Sequence, residues 1–386
     1  MSSMTHNLSS PAMMIANVPG LLGFYPHESL VVLAFDQSET STTSFNLTYV
    51  SRLDIEDTDG LDSTFAVVHA NSPDLVWVVF VSDGRHLPGF DACVARIDTT
   101  AHDHGVAIDA GWALDQITTG AEYELVISGT TEPKKGSAMS EQWVKGRVGD
   151  VSGAYAVDAI VRAGESLHAS REEVFNTFAY GNPLNHQSEI KHKRIAREAK
   201  DKATAIRHGA GYFEAAEEFQ AIITAATIDA DKKKTVGVEA IMASKTALTQ
   251  AAVFFGAKTT RDLVMAFVPT YPEAVRDISL AVARSFHGFI RENALCVYAL
   301  AMVQLDAIQM AVPAVRVAIA ENPRHELADI LSQGFFAGIY RQLLASCVES
   351  SHQMQAHCVR THPSRLRSLG CTTAEGSKRE QQLKAA

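Results

Sequence analysis

The chain has 386 residues, of which 46% are hydrophobic and 20% charged. This is an ordinary globular composition, and the length is sufficient for two or three domains with cores of their own. The formal net charge of -10 disfavours nucleic-acid binding by the molecule as a whole, so that any such contact would need a local basic patch. The five cysteines form no C-x-x-C pair, which favours a reducing compartment over a disulfide framework.

No segment of the sequence predicts export or membrane insertion. Residues 1–17 lack the basic and apolar regions of a signal peptide. No apolar run of roughly 18 residues is free of charged side chains, as a membrane helix would require. We therefore expect a cytoplasmic protein without a membrane anchor.

The first predicted elements are a helix, a turn and a buried strand. Ser10 followed by Pro11 is typical of a helix start, and Gly23 is suited to the left-handed residue that ends a helix. Ser29–Phe35 is a continuous apolar run rich in branched residues, which predicts a strand covered on both faces. Pro26–Glu28 is then the turn between the helix and this strand.

Strands and helices alternate in the residues that follow. Further strands are predicted at 42–50, 74–81, 106–115 and 121–127, with helices at 61–69 and 88–100. This alternation predicts an α/β sheet domain over residues 10–130. The two most apolar runs, Leu30–Phe35 and Val76–Val81, should be central, neighbouring strands of one sheet.

The second half of the chain is helical in pattern. Residues 131–153 are rich in Gly, Ser and Lys and are predicted to be a loop or linker. An all-α helical array is predicted over 154–362, and the polar residues 363–386 are predicted to be a disordered tail. The predicted helices are at 154–163, 188–207, 212–227, 235–255, 260–267, 272–286, 292–304, 307–320 and 324–348. The fold class is therefore an α/β N-terminal domain followed by an all-α array, α+β overall.

Several short motifs occur in order between residues 12 and 335. The first is "PGLLGFYPHESLV", which fits the pattern P-x-L-L-G-F-x-P-x-x-S-L-V from Pro19 to Val31. The others are Arg52-x-Asp54, Ala163-Gly164 with Ser170-Arg171-Glu172-Glu173, Arg261-Asp262, and a C-terminal helical pair that ends at Asn322-Pro323. Together they resemble DUF4192, a family of uncharacterised proteins found mainly in actinobacteria and their phages. The resemblance implies a fold and no activity.

Three of these motifs place an arginine, Arg52, Arg171 or Arg261, close to an acid. Arg52, Asp54, Arg171 and Glu172 could line an anionic-ligand site between the two domains. They could equally form structural ion pairs, since an arginine is costly to bury without a partner. We favour the structural interpretation. Polar motif residues that converge in one place would favour a ligand site, whereas scattered ones would favour a scaffold.

One predicted helix concentrates positive charge, at Lys191, Lys193, Arg194, Arg197 and Lys200. Such a helix could lie along phosphates. The simpler interpretation is a solvated face with i,i+4 pairs such as Arg194–Glu198 and Arg197–Asp201. We favour the second, so nucleic acid is an unlikely partner on sequence grounds.

Metal and cofactor signals are weak. Cys347, Cys358 and His362 are zinc candidates because Cys358 and His362 are spaced i,i+4, but paired C-x-x-C ligands are missing. His102 and His104 are expected at the end of a surface helix. His27 and Glu28 could form a ligand loop at the mouth of the sheet. We favour a simple turn there, because ligands of α/β sheets bind at loops that follow their strands, whereas this loop precedes one.

The sequence carries no dinucleotide fingerprint, phosphate-binding loop or nucleophile elbow. It does not identify a cofactor, which stays unknown at this point. Our first hypothesis is a non-enzymatic protein-interaction or scaffold protein whose helices present a surface to a protein partner. The alternatives are an enzyme or nucleotide-binding protein with the anionic-ligand site, and a nucleic-acid-associated protein that uses the basic helix.

Overall fold

The computed structural model describes residues 10–38, 41–129, 141–162, 164–180, 189–229, 231 and 234–361. The chain divides after Val174 into two compact units, which are described separately below. In the described residues no helix combines the length and apolarity needed to cross a membrane.

The first unit is built on a six-stranded mixed sheet with the strand order β2-β1-β3-β4-β5-β6. Only β3 and β4 are parallel neighbours among these strands, and the other pairs are antiparallel. The elements are α1 (Pro11–Leu22), β1 (Ser29–Ser38), β2 (Ser41–Asp54), α2 (Thr58–Asn71), β3 (Leu75–Val81), α3 (Phe90–Asp103), β4 (Ala110–Leu114), β5 (Glu122–Ser128), α4 (Glu141–Val144), β6 (Lys145–Arg147), α5 (Tyr155–Arg162) and α6 (Arg171–Asn176).

The predicted start of this unit is confirmed. The Ser10 side chain caps α1, and Gly23 ends the helix in the left-handed conformation, with φ 83°. Strands β1 and β3 are neighbours in the interior of the sheet, and Leu30 lies opposite Phe80. Their side chains alternate between two cores, one shared with α1 and the other with α2 and α3, which explains why the runs Leu30–Phe35 and Val76–Val81 are apolar at every position.

Residues 141–153, within the predicted linker, belong to the first unit. Strand β6 adds to the edge of the sheet, and the indole of Trp112 donates a 2.8 Å hydrogen bond to the carbonyl of Trp143. The rings of Trp77, Trp112 and Trp143 lie against one another in the core. The composition of this segment, rich in Gly, Ser and Lys, is typical of a loop and did not predict this packing, which depends on the single residue Trp143.

Residues 155–174 also belong to the first unit, whereas the sequence placed them at the start of the helical array. Helix α5 packs on α1 so closely that a Cβ at Gly20 would lie 2.4 Å from the backbone of Ala156. The next segment runs beside the turn after α1, where Tyr25 N donates to the carbonyl of His168 and His168 N donates to the carbonyl of Gly23. The apolar face of α5 is thus buried by α1.

The second unit is helical apart from a short hairpin, which confirms the predicted fold class. Its elements are α7 (Glu189–Arg207), α8 (Tyr212–Ala226), β7 (Thr227–Asp229), β8 (Lys234–Thr235), α9 (Val238–Ala243), α10 (Lys245–Phe255), α11 (Lys258–Met265), α12 (Pro272–Ser285), α13 (Phe289–Gln304), α14 (Ile308–Glu321), α15 (Glu326–Phe336) and α16 (Tyr340–Thr361).

Two predicted helices of this unit are interrupted. The segment 235–255 divides at Ser244, whose hydroxyl caps α10. The segment 324–348 divides at Gly338, whose φ of 73° ends the helical path. In both cases a local backbone preference overrides a continuous apolar periodicity.

A buried polar network lies at the centre of the second unit. Asn293 on α13 accepts a 2.9 Å hydrogen bond from Arg261 and donates one of 2.7 Å to the carbonyl of Phe255. The Nε2 of His325 lies 3.1 Å from the same Asn293 oxygen. Arg261 also pairs with Asp262, so the guanidinium has the partners that burial requires.

Candidate functional site

Loops at the ends of three strands, β1, β3 and β4, meet at one edge of the first unit's sheet. Because β3 and β4 are parallel, Ser82 and Asp83 after β3 and Asp115 after β4 lie at the same edge. Strand β1 runs antiparallel to β3, with Ser29 opposite Val81, and its start therefore lies at that edge too. A loop that precedes its strand thus reaches the edge where α/β sheets bind ligands, so the order of loop and strand is no argument against a ligand site.

Glu28 occupies the centre of this edge. Its φ of 43° is left-handed, which is uncommon for a residue other than glycine. The carboxylate accepts a 2.8 Å hydrogen bond from the hydroxyl of Ser82 and one of 3.1 Å from the backbone N–H of Asp83. These bonds fix the side chain against the end of β3. Each carboxylate oxygen keeps a further lone pair for a ligand.

His27 and Asp83 complete a group of potential metal ligands with Glu28. The His27 Nε2 lies 3.8 Å from a carboxylate oxygen of Asp83, and both side chains are well exposed, at 68% and 76%. One ligand atom from each of the three residues lies within 4.8 Å of the others. In the part of the chain that the structure describes, this is the one group of three or more such residues. We call these three residues the edge cluster.

Arg52 holds the turn that carries the edge cluster. Its Nε donates to Ser29 Oγ at 2.7 Å and its Nη2 donates to the carbonyl of His27 at 3.2 Å. Its Nη1 pairs with Asp54 at 2.7 Å, and the side chain is only 12% exposed. Burial lowers the pKa of Arg52, Asp54 raises it, and Arg171 lowers it. Each nitrogen of the guanidinium group has a partner, as a structural arginine requires.

Arg171 approaches the same carboxylate from the start of α6. Its Nη1 lies 4.0 Å from Asp54, so the structure brings Arg52, Asp54 and Arg171 together, all within the first unit. The hydroxyl of Ser170 caps this helix, because Ser170 Oγ accepts from Glu173 N at 3.3 Å. Glu172 is exposed and forms no ion pair among the described residues.

Acids exceed arginines at this edge. Arg85 pairs with Asp115 at 2.6 Å and with Glu124 at 2.8 Å, and Arg52 and Arg171 share Asp54. Glu28 and Asp83 have no arginine opposite them within ion-pair distance in the described residues. The local charge therefore attracts a cation more readily than an anion.

The sequence-predicted basic residues lie on α7 of the second unit. Lys193, Arg194, Arg197 and Lys200 are exposed, and Lys191 is half-buried. The expected pairs Arg194–Glu198 and Arg197–Asp201 do not form ion pairs in the described part of the chain.

The zinc candidates on α16 do not come together. Cys347 and Cys358 are eleven residues apart in one helix, or about 16 Å, too far to share a metal ion. Burial raises the pKa of both thiols, which opposes the thiolate that zinc binds. Cys358 lies 3.4 Å from the carbonyl of Ile206. His362 is outside the described residues.

A second arrangement in the helical unit resembles a catalytic one and is structural. The sulfur of Cys296 lies 3.8 Å from Nδ1 of His325, and Nε2 of His325 lies 3.1 Å from the side-chain oxygen of Asn293. The same order of groups is found where a histidine assists a cysteine nucleophile. However, Cys296 is fully buried, and burial raises its pKa to about 12. The His325 Nδ1 accepts from the backbone N–H of Ala328 at 3.1 Å. It caps α15 and is not available as a base for the thiol.

The sequence predicted part of this picture. It identified Arg52, Asp54 and Arg171, because each of the two arginines has an acid within two residues of it in the sequence. It considered His27 and Glu28 but missed Asp83 and Ser82, because only the pairing of β1 with β3 joins them to the turn. A hydroxyl and a carboxylate directly after an apolar strand were the signal that could have found them.

Comparison with known proteins gives a family and no activity. Neither a curated protein nor a solved structure matches the chain significantly. The model of a domain of unknown function, DUF4192, matches residues 11–340. This match covers both units and includes the turn, the arginines and the polar core described above. The chain therefore belongs to the DUF4192 family.

Proposed function

We propose that this protein binds a divalent metal cation at the edge cluster. The observation that carries the proposal is the meeting of His27, Glu28 and Asp83, with ligand atoms within 4.8 Å of one another. They come from two separate segments, and they meet where β3 ends and β1 begins. A histidine and two carboxylates suit a metal such as Mn²⁺ or Zn²⁺, with positions left for water or a further ligand.

The surroundings of the cluster support metal binding. The bonds from Ser82 and the Asp83 N–H orient the Glu28 carboxylate, which is the role that outer groups play in metal sites. Arg52 fixes the carbonyl of His27 and the hydroxyl of Ser29 without approaching the ligand atoms as an ion-pair partner. The excess of acids favours a cation over the anionic ligand considered from the sequence. Protein interaction by the helical unit stays a prediction.

Calorimetric titration of chelator-treated protein with Mn²⁺ and with Zn²⁺ tests the proposal. We expect saturable binding by the unaltered chain. The variants His27→Gln, Glu28→Gln and Asp83→Asn should each bind at least about tenfold more weakly, because each removes one ligand.

Matched controls are available in the same unit. His102 and Asp103 are exposed at the end of α3, and His102→Gln and Asp103→Asn should leave the affinity unchanged. Equal binding by the cluster variants and the unaltered chain, or equal losses in the controls, would show that the cluster is not the site.

A further inference from the structure

Helix α7 carries positive charge along one side of its exposed face. Its buried positions are Ile195, Ala199, Ala203 and Ile206, which contact the rest of the second unit. Gly256, which directly follows α10, lies so close that a Cβ there would be 2.7 Å from Ala199. The exposed side chains of Lys193, Arg197, Lys200 and Arg207 follow one another at helical spacing along one side of the exposed face. We call these four residues the basic stripe.

The basic stripe is about 21 Å long, since its ends are fourteen residues apart at about 1.5 Å per residue. The exposed acids Glu198 and Asp201 follow Arg194 and Arg197 at i,i+4 and pair with neither arginine in the described residues. The guanidinium groups of these two arginines are therefore available to donate hydrogen bonds to a negatively charged partner.

Positive charge continues beyond the stripe at the start of α7. Burial lowers the pKa of Lys191, and the nearby charges of Arg194 and Lys245 lower it further. Lys245 is the first residue of α10, which packs against α7. Positive side chains from two helices thus lie close together in the second unit, although the protein as a whole has a net charge of -10.

The chemistry of the stripe selects among polyanions. Of the described residues, none of the large exposed apolar side chains lies on α7, and the apolar face of the helix is buried within its own unit. The side chains of α7 that the structure describes therefore offer no apolar surface for insertion into a membrane. The helix also has no exposed aromatic ring on which the bases of a single strand could stack. Contacts of charge alone suit the regular phosphates of a duplex.

We propose that the basic stripe binds the phosphate backbone of double-stranded nucleic acid without reading its sequence. This site lies in the second unit and is independent of metal binding at the edge cluster. Because the rest of the molecule is acidic, binding is weak and strongly dependent on salt.

Fluorescence anisotropy with a labelled duplex of roughly 20 base pairs, about two helical turns, tests the inference. The variant carries Lys193→Gln, Arg197→Gln and Lys200→Gln, since glutamine keeps the helix propensity. The matched control carries Lys145→Gln, Lys234→Gln and Lys258→Gln, which remove the same net charge from exposed positions elsewhere. Circular dichroism verifies that both proteins fold.

We expect the stripe variant to bind at least tenfold more weakly at low salt. The slope of log affinity against log salt should become shallower by about three, at roughly 0.9 per lost phosphate contact. The control should lose less than about threefold. Equal losses in both variants, absence of binding at low salt, stronger binding to a single strand, or stronger binding to phosphatidylserine vesicles would each overturn the inference.

Discussion

The Nε of Arg52 donates a 2.7 Å hydrogen bond to the hydroxyl of Ser29, which joins the end of β2 to the start of β1. Both residues belong to motifs of the DUF4192 family, and Ser29 Oγ also donates to the carbonyl of His27 at 2.6 Å. The conformation of the turn before β1 therefore depends on a side chain that lies 23 residues further along the chain.

Replacement of Arg52 should destabilise the first unit. Arg52→Ala removes the hydrogen bonds to the Ser29 hydroxyl and the His27 carbonyl and the ion pair with Asp54, and we expect a loss of about 1–3 kcal/mol. Urea unfolding followed by tryptophan fluorescence measures this, because Trp77, Trp112 and Trp143 are the chain's three tryptophans and all belong to the first unit. Arg162→Ala removes an exposed i,i+4 pair with Asp158 and should cost less than about 1 kcal/mol. Equal losses would contradict the structural role of Arg52.

Glu28→Gly separates stability from metal binding. Glycine adopts the left-handed conformation of Glu28 without steric cost, which gains about 1 kcal/mol, whereas loss of the bonds to Ser82 and Asp83 costs a similar amount. We expect an unfolding free energy within about 1 kcal/mol of the unaltered protein, together with loss of the calorimetric metal signal. Retained metal affinity would count against the edge cluster.

Val32 tests the double burial of β1. Its side chain is fully buried against α2 and α3, so Val32→Asp places a charge without a partner in the core, at a cost of several kcal/mol. We expect no soluble protein from this variant. Val32→Ala should remain soluble and lose about 1–3 kcal/mol in urea unfolding. Soluble, folded Val32→Asp protein would show that the strand is less buried than described.

His325 should make the second unit sensitive to acid. Burial is the main cause that lowers its pKa to about 4, assisted by the charges of Arg261 and Lys258. The unfolded chain, with a histidine pKa near 6.5, therefore binds more protons between these values. The stabilising contribution is complete above about pH 6.5 and is lost as the pH falls towards 4, on the order of 3 kcal/mol.

The matched variant for this prediction is His325→Asn. Asparagine can still cap α15 through its carbonyl oxygen but cannot take up a proton in this range. The difference in unfolding free energy between the two proteins, from chemical unfolding followed by circular dichroism at several pH values, should shrink as the pH falls from 7 to 4.5. A difference that stays constant with pH would contradict the assignment.

The periodicity of apolar residues predicted most helices and strands, because each buried strand or amphipathic helix requires apolar residues at regular positions in the sequence. The interior position of β1 and β3 follows from runs such as Leu30–Phe35, in which every side chain is buried. The direction of β1 relative to β3 leaves no such trace, since either pairing buries the same residues. The candidate site depends on that direction, and Ser82 and Asp83 could therefore not be connected to Glu28 from the sequence.

Other differences have local causes. Ser244 and Gly338 each end a helix within a continuous apolar pattern, because a capping hydroxyl and a left-handed glycine act on a single turn. The position of Trp143 in the core could not be predicted from a segment whose composition is typical of loops. The cysteines of α16 were zinc candidates because of their spacing along the sequence. That spacing gives no information on their burial, which opposes metal binding.

The turn before β1 has a consequence for how the family can diverge. The residues that shape it, Gly23, Pro26, Ser29 and Arg52, occupy specified positions of the sequence patterns given above, whereas His27 and Glu28 occupy unspecified ones. The framework and the proposed metal ligands of the turn thus lie at different positions of the pattern. Replacement of two adjacent codons would give a protein of the same fold a different binding specificity, or none, without a new backbone having to evolve.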